Sequence, residues 1–148
     1  MNRMSSPALF ETLYNPSDCK IGIVHLGFGA FHRAHQALYV DDYMDQTGDL
    51  RWGIAAVNLR ALESSNFAGF KEASHGYVLK SMSSNGDVDF RRVRSHVKFS
   101  DWADNAEEAE ALLACPSVHM VTITVTESGY YMDETGALNP TDPSIVAE

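Results

Sequence analysis

The stretch IGIVHLGFGAFHRAH, residues 21–35, decides how this chain folds. It opens with six residues of mainly apolar character, Ile21 to Leu26, and passes through a glycine-rich turn into a helical pattern. A second apolar run, residues 52–59, follows the helix. An apolar strand, a glycine turn, a helix and a second strand are the first half of a dinucleotide-binding unit.

Gly27 and Gly29 match the first two glycines of the pattern G-x-G-x-x-G, and His32 stands where the third would fall. In this pattern the glycines allow a ligand to approach the backbone closely. The unpaired N–H groups at the start of the following helix favour an anion such as a pyrophosphate. An ordinary tight turn between a strand and a helix is the alternative interpretation of the two glycines.

Residues 27–39, GFGAFHRAHQALY, resemble the signature of the mannitol dehydrogenase family of long-chain polyol and hexuronate oxidoreductases. Residues 52–59 resemble the family's second strand, and residues 123–130 its later Thr-x-Thr-Glu-x-Gly-Tyr segment. The variant Val57-Asn58-Leu59 is most similar to the fructuronate reductase (D-mannonate oxidoreductase) branch. The resemblance covers residues 21–148.

We therefore expect an α/β fold with a Rossmann-type dinucleotide-binding domain, a mainly parallel sheet, an inserted β-hairpin and an incomplete strand set. Residues 1–20 are expected to be irregular, and residues 21–148 to form the N-terminal part of the domain. Asn85-Gly86 between two apolar runs predicts the hairpin, and Asp101 is expected to cap a helix. Strands are predicted at residues 21–26, 52–59, 77–82, 88–93 and 118–125, and helices at 30–44, 61–73 and 101–114.

The candidate cofactor-binding residues lie at the glycine turn and at the carboxyl ends of the predicted strands, where such folds bind ligands. Phe28 and Phe31 are equally compatible with a place in the core, and Arg33 with a place on the surface. The end of the second strand carries Arg60 rather than an acid, a position suited to the 2′-phosphate of NADP, whereas Glu63 is suited to a ribose. The candidates are Gly27, Phe28, Gly29, Ala30, Phe31, His32, Arg33, Asn58, Arg60, Thr126 and Glu127.

The family resemblance implies NAD as cofactor, while Arg60 leaves NADP open. It also implies that a lysine in a C-terminal half handles the substrate proton, and residues 101–148 contain no lysine. We therefore predict no catalytic residue in this chain and no turnover by the chain alone. His32 and His35 are one helical turn apart, but they lack a neighbouring carboxylate or thiolate, so no metal site is predicted.

The net charge of −9 argues against nucleic acid as a partner. No segment reaches the length of apolar sequence that spans a membrane. The two cysteines, Cys19 and Cys115, are far apart and are typical of a reducing cytoplasm. The expected partners are a small sugar or hexuronate and either a missing C-terminal domain or further copies of the chain. The alternative function is a non-catalytic nucleotide-binding or scaffold domain.

Overall fold

The fold is built on a sheet of parallel strands, as the buried apolar runs predict. The computed structural model describes residues 8–73, 76–125 and 130–146. Within these residues the main sheet has the strand order β6-β3-β2-β7, and every neighbouring pair is parallel. Its strands are β2 (Ile21–Leu26), β3 (Gly53–Asn58), β6 (His96–Asp101) and β7 (Met120–Ile123).

This order identifies the fold class. Counted along the main sheet alone, the strands stand in the order 3-2-1-4, which is the first part of the 3-2-1-4-5-6 order of a Rossmann fold. Every residue of β3 is buried, as expected for a strand covered on both faces. The α/β Rossmann-type prediction is therefore confirmed, with a parallel sheet in which β7 is an edge strand among the described residues.

Helices cover both faces of the main sheet. On one face, Val24 and Val57 pack against Ala109 and Leu112 of helix α4. On the other, Ile23 and Ile54 pack against Ala37 of α2. The helices are α1 (Ala30–Ala34), α2 (Gln36–Thr47), α3 (Ser64–Glu72), α4 (Ala106–Leu113) and α5 (Pro143–Val146).

The predicted hairpin forms a second, smaller sheet. Strands β4 (Tyr77–Met82) and β5 (Val88–Val93) pair antiparallel across a turn in which Gly86 adopts a φ of 88°. The strand β1 (Leu9–Glu11) pairs parallel with β5. Immediately after β5, the Ser95 hydroxyl donates to the carbonyl of Ala37 at 2.7 Å. This bond links the end of the hairpin segment to helix α2.

Three local predictions differ from the structure. The N-terminal segment that we expected to be irregular contains β1 and a short 3-10 helix, Pro16–Asp18. The single helix expected over residues 30–44 is two helices separated at His35, whose φ and ψ are −122° and −81°. Asp101 ends strand β6 and caps no helix; instead, the Asn105 side chain accepts the N–H of Glu108 at 3.0 Å and caps α4.

Strand β6 was not predicted because its sequence, His-Val-Lys-Phe-Ser-Asp, lacks the apolar run of a buried strand. Ser100 and Asp101 are nevertheless buried. The hydroxyl of Ser100 donates to Glu108 at 2.8 Å, and the carboxylate of Asp101 accepts from Asn58 at 3.2 Å. These partners compensate for the burial of polar groups, so a polar segment forms the strand that pairs with β3 at one end of the described main sheet.

Candidate dinucleotide site

The turn between β2 and α1 has the geometry that the glycine pattern predicts. Gly27 adopts a φ of 106°, which side-chain-bearing residues rarely adopt, and its N–H donates to the carbonyl of Val57 at 2.7 Å. Gly29 has an extended backbone, and a Cβ added there would meet no protein atom within 4 Å. Gly27 is therefore needed for the fold of the turn, whereas the chain itself leaves the space beside Gly29 open.

Gly29 also precedes the first turn of α1. The N–H of Arg33 donates to the carbonyl of Gly29 at 3.1 Å, while no side chain caps the helix start. The N–H groups of a first helical turn have no carbonyl partner within the helix. The amides from Ala30 to His32 occupy this turn, beside the open space at Gly29.

A cavity of about 330 Å³ lies at the carboxyl ends of β3, β2 and β7. It is bounded by the glycine turn after β2, by Asn58 to Arg60 after β3, and by the segment after β7. The strands β3, β2 and β7 are neighbours, and chain order reverses between β2 and β7. Open α/β sheets bind their ligands at this switch point. The lining residues are Leu26, Gly27, Phe28, Gly29, Asn58, Leu59, Arg60, Glu63, Ile123, Thr124, Val125 and Tyr131.

A second cavity, of about 460 Å³, adjoins the first between α1 and α3. The two share Phe28, Gly29, Asn58 and Glu63 as lining residues. The second cavity is further lined by Ala30, Arg33, Asn66, Phe67 and Phe70. The two cavities thus lie side by side along the glycine turn, and together we call them the crevice.

Asn58 closes the loop after β3. Its side-chain oxygen accepts the N–H of Arg60 at 3.2 Å, and its amide nitrogen donates to the carbonyl of Arg60 at 2.9 Å and to Asp101 at 3.2 Å. The residue is 4% exposed. Asn58 therefore borders both cavities, and its side-chain amide is hydrogen-bonded to groups of the protein.

Arg60 remains accessible at the mouth of the crevice. Its side chain is 67% exposed, and its Nη1 lies 3.7 Å from Oε1 of Glu63. An exposed ion pair at this distance contributes little to stability. Both side chains are consequently available to a ligand.

Arg33 lines the second cavity, where its guanidinium group packs against aromatic rings. Its guanidinium carbon is 4.8 Å from the centre of Phe70, 5.3 Å from Phe28 and 5.9 Å from Tyr77. Its Nε is buried without a hydrogen-bond partner among the described residues. The cation is thus held by ring contacts and keeps unused hydrogen-bonding capacity.

Phe28 packs against core side chains and also lines both cavities. Its ring makes edge contacts with Phe70 at 4.8 Å, His96 at 5.0 Å and Phe99 at 5.4 Å. Phe31 is different: it is 66% exposed, stacks on His35 and lines neither cavity. Of the two phenylalanines, only Phe28 borders the crevice.

The side chain of His32, one of the candidate cofactor-binding residues, lies in the interior and lines neither cavity. It is 1% exposed and stacks on His25 with a centroid distance of 3.5 Å. Its Nδ1 lies 3.0 Å from Oε1 of Gln36, and its Nε2 lies 2.9 Å from Nε2 of His96. A buried histidine therefore occupies the position of the third glycine in the pattern.

The network around His32 fixes which ring nitrogens carry protons. Gln36 Oε1 accepts from His32 Nδ1, so His32 Nε2 accepts from His96. The hydroxyl of Thr122 donates to Gln36 at 3.1 Å and accepts from His25 Nδ1 at 2.8 Å. The two remaining ring nitrogens, His25 Nε2 and His96 Nδ1, are buried without a hydrogen-bond partner among the described residues.

Electrostatics keeps these imidazoles neutral. Burial, and secondarily the neighbouring His32, lowers the pKa of His25 to about 4. Burial also lowers the pKa of His32 to about 4, and the hydrogen bond to Gln36 only partly offsets this effect. Burial lowers the pKa of His96 as well. We will call His25, His32 and His96 the histidine cluster.

Within the described residues, no three His, Cys, Asp or Glu side chains are placed to hold a metal ion. His35 points its Nδ1 at the carbonyl of Phe31, 2.8 Å away, outside the histidine cluster. The two cavities, as far as their described walls extend, are lined by neither histidine nor lysine.

Two candidates cannot be placed, because Thr126 and Glu127 lie outside the described residues. In turn, sequence reasoning missed Asn66 and Tyr131 as lining residues. Asn66 belongs to the helix expected after β3, and no sequence pattern indicates that this helix lines a cavity. Tyr131 has a positive φ of 46°, which is uncommon for a tyrosine.

Comparison with known proteins agrees with this geometry. The sequence profile of the mannitol dehydrogenase Rossmann domain matches residues 21–148. This chain belongs to the mannitol dehydrogenase family. Among members of the family, mannitol 2-dehydrogenase of Pyrenophora tritici-repentis is 36% identical over 136 residues, which are 91% of this chain and 24% of the relative. Mannitol 2-dehydrogenase of Cereibacter sphaeroides is 38% identical over 128 residues, covering 86% of this chain and 26% of the relative.

Two solved dehydrogenase structures share the fold. The ternary complex of Pseudomonas fluorescens mannitol 2-dehydrogenase with NAD and D-mannitol matches with a TM-score of 0.81 and 30% identity, over 96% of this chain and 29% of that one. Substrate-free D-sorbitol dehydrogenase matches with a TM-score of 0.78 and 27% identity, over 94% and 29%. The chain therefore spans about a quarter of the length of the curated relatives it matches.

The comparisons confirm the predicted family and leave the fructuronate reductase branch as a prediction. The part of the chain that the structure describes contains no helix that is both long and apolar enough to cross a membrane.

Proposed function

We propose that this chain is the cofactor-binding part of an oxidoreductase that transfers hydride between NAD(H) and a sugar alcohol or hexuronate. The observation that carries the proposal is the open space at Gly29, beside the uncapped start of α1 and at the switch point of the sheet. A pyrophosphate fits there, because the backbone presents N–H donors and no side chain intervenes. Nicotinamide, when bound, supplies the hydride chemistry.

In this proposal the chain's own residues bind the cofactor and orient it. The amides of Gly29 to Phe31 contact the pyrophosphate. Glu63 and Arg60, at the end of the second strand of the main sheet, face the adenine ribose. Thr126 and Glu127 stay candidates for the ribose or nicotinamide region by their place after β7. Together these residues hold the cofactor along the strand ends.

Proton transfer requires a group from outside the chain. The described walls of the crevice offer no lysine or histidine, and alcohol oxidation needs a base near the hydroxyl. We therefore propose that a C-terminal part of the kind present in the longer relatives supplies the base and the substrate pocket. Mannitol with fructose and mannonate with fructuronate are the proposed substrate pairs. The free thiols of Cys19 and Cys115 fit a cytoplasmic enzyme.

Cofactor binding can be tested with two matched glycine variants. Gly29→Val fills the proposed pyrophosphate space, whereas Gly69→Val alters an exposed helix position. An added Cβ meets no atom within 4 Å at either residue, and neither has a positive φ. We expect NADH to bind to the parent protein and to Gly69→Val, and binding to be lost in Gly29→Val, with circular dichroism unchanged.

The titration is followed by NADH fluorescence. NADH that binds Gly29→Val as tightly as the parent would show that the pyrophosphate lies elsewhere. A parent protein that binds no dinucleotide would instead support the alternative of a non-catalytic scaffold domain. Oxidation of NADH by the chain alone with fructose or fructuronate would contradict the proposed need for a C-terminal part.

A further inference from the structure

We propose that Thr122 is a positioning residue for the cofactor, because its hydroxyl holds the two histidine rings that flank the glycine turn, residues 27–29. In this proposal Thr122 does not contact the cofactor and acts through the histidine cluster. The inference rests on the proposed function, since it concerns how the space beside Gly29 is kept in place for a pyrophosphate.

Two stacked rings join the ends of the glycine turn. His25 stands two residues before Gly27, and His32 stands three residues after Gly29. Their rings are nearly parallel, with 3.5 Å between the centroids and 5° between the planes, and each residue is 1% exposed. Because the interior of a protein is closely packed, the turn between the two histidines cannot shift as a whole without disturbing this stack.

The turn has few other anchors. Its backbone is bonded from the N–H of Gly27 to the carbonyl of Val57. Two of its three residues are glycines, so Phe28 supplies the one side chain that packs in the core. The helix α1 that follows has five residues, and a helix of this length is not stable through its own hydrogen bonds. The flanking histidines therefore have a large share in setting the path of the turn.

A single hydroxyl holds both rings. Stacking fixes the planes of two rings but lets them slide past each other, whereas directional hydrogen bonds to ring nitrogens fix their positions. Thr122 Oγ1 accepts from His25 Nδ1 at 2.8 Å and donates to Gln36 Oε1 at 3.1 Å. The same Gln36 oxygen accepts from His32 Nδ1 at 3.0 Å. Thr122 thus holds one ring directly and the other through Gln36.

Thr122 itself lies behind the site. It belongs to β7, where it is the direct partner of His25 in the parallel pairing with β2. It is half-buried, and it is not among the described residues that line either cavity. A change at Thr122 that alters dinucleotide binding must therefore act through the side chains that it holds.

Two substitutions separate the hydroxyl of Thr122 from its shape. Thr122→Val removes the hydroxyl and keeps a β-branched side chain that suits a strand, whereas Thr122→Ser keeps the hydroxyl. The affinity for NADH is measured by fluorescence titration of each purified protein. We expect Thr122→Val to bind NADH about fivefold more weakly, the loss expected for one neutral hydrogen bond, and Thr122→Ser to bind NADH like the parent. Equal weakening in both variants would assign the effect to side-chain shape and overturn the inference.

A second member of the network provides an independent test. Gln36→Met removes the acceptor that Thr122 and His32 share, and it should weaken NADH binding to a similar extent. Because both substitutions interrupt the same network, the double variant should bind NADH little more weakly than either single variant. Losses that add in full would mean that the two residues act separately, contrary to the inference.

Asn105→Ala is the control for a general loss of stability. Asn105 caps α4, which packs on the face of the sheet opposite to α2, so this variant should be less stable and bind NADH like the parent. A loss of affinity in Asn105→Ala equal to that in Thr122→Val would reduce Thr122 to a purely structural role. Undiminished binding in Thr122→Val, with binding lost in Gly29→Val, overturns the inference and leaves the proposed function intact. A parent protein that binds no NADH overturns both.

Discussion

Acidification should unfold this protein through its histidine cluster. The pKa of His25 and that of His32 are lowered from 6.5 to about 4, because burial disfavours the charged imidazole. In the unfolded chain these groups take up protons near their ordinary pKa. Below pH 6.5 the unfolded state therefore binds protons that the folded state does not bind. The free energy of unfolding consequently falls as the pH is lowered toward 4.

The size of this loss follows from the two pKa values. Between pH 8 and pH 5, each of the two histidines should remove about 2 kcal/mol from the free energy of unfolding. Together they should remove about 4 kcal/mol, a large share of the roughly 5–15 kcal/mol that stabilises a typical domain. His96 acts in the same direction, because its pKa is also lowered.

Urea unfolding at a series of pH values measures the effect, with circular dichroism as the signal. The informative variant is His25→Phe, which keeps a flat ring against His32 and cannot titrate. Its loss between pH 8 and pH 5 should be smaller than that of the parent by about 2 kcal/mol, whatever the variant's stability at pH 8. His35→Gln, which changes an exposed histidine outside the cluster, is the control. An identical pH dependence in the parent and His25→Phe would refute the reasoning.

Three further predictions concern the rest of the fold. Asn105→Ala removes the cap of α4 and should lower the free energy of unfolding by about 1 kcal/mol in urea denaturation, whereas Asn139→Ala, in an exposed turn, serves for comparison. Leu112→Ala leaves a cavity between α4 and the sheet and should cost about 2–5 kcal/mol in the same assay; a loss below 1 kcal/mol would mean that the α4 face is loosely packed. The edge of β7 that pairs with no strand in the described part of the chain, next to side chains such as Ile123 at 59% exposure, should make the isolated chain self-associate; a concentration-independent monomer in sedimentation velocity would contradict this.

The sequence was sufficient to predict the centre of the fold. Residues 21–26 are apolar and the following glycine requires a positive φ, so β2 and its turn were found in place. The Asn85-Gly86 pair likewise predicted the hairpin. In the structure Gly86 has a positive φ and Asn85 does not. Short-range signals of this kind are local properties of the chain.

Long-range contacts account for the differences. His32 resembles a site residue in the sequence because it follows the glycines, but its partner His96 comes from a strand that was not predicted. Asn58 resembles a ligand because it ends β3, but Asp101 and the backbone of Arg60 use its amide. In both cases the decisive partner is either distant in sequence or on the main chain, where no sequence pattern reveals it.

The place of the hairpin has a consequence for how the chain reaches its native state. Strand β6 pairs with β3, yet helix α3 and both hairpin strands lie between them in the sequence. Closing so long a loop costs entropy before any contact between these strands can compensate for it, and high contact order slows folding. An early-forming hairpin would shorten the effective loop. We therefore expect the inserted β4–β5 unit to influence how fast β6 joins the main sheet.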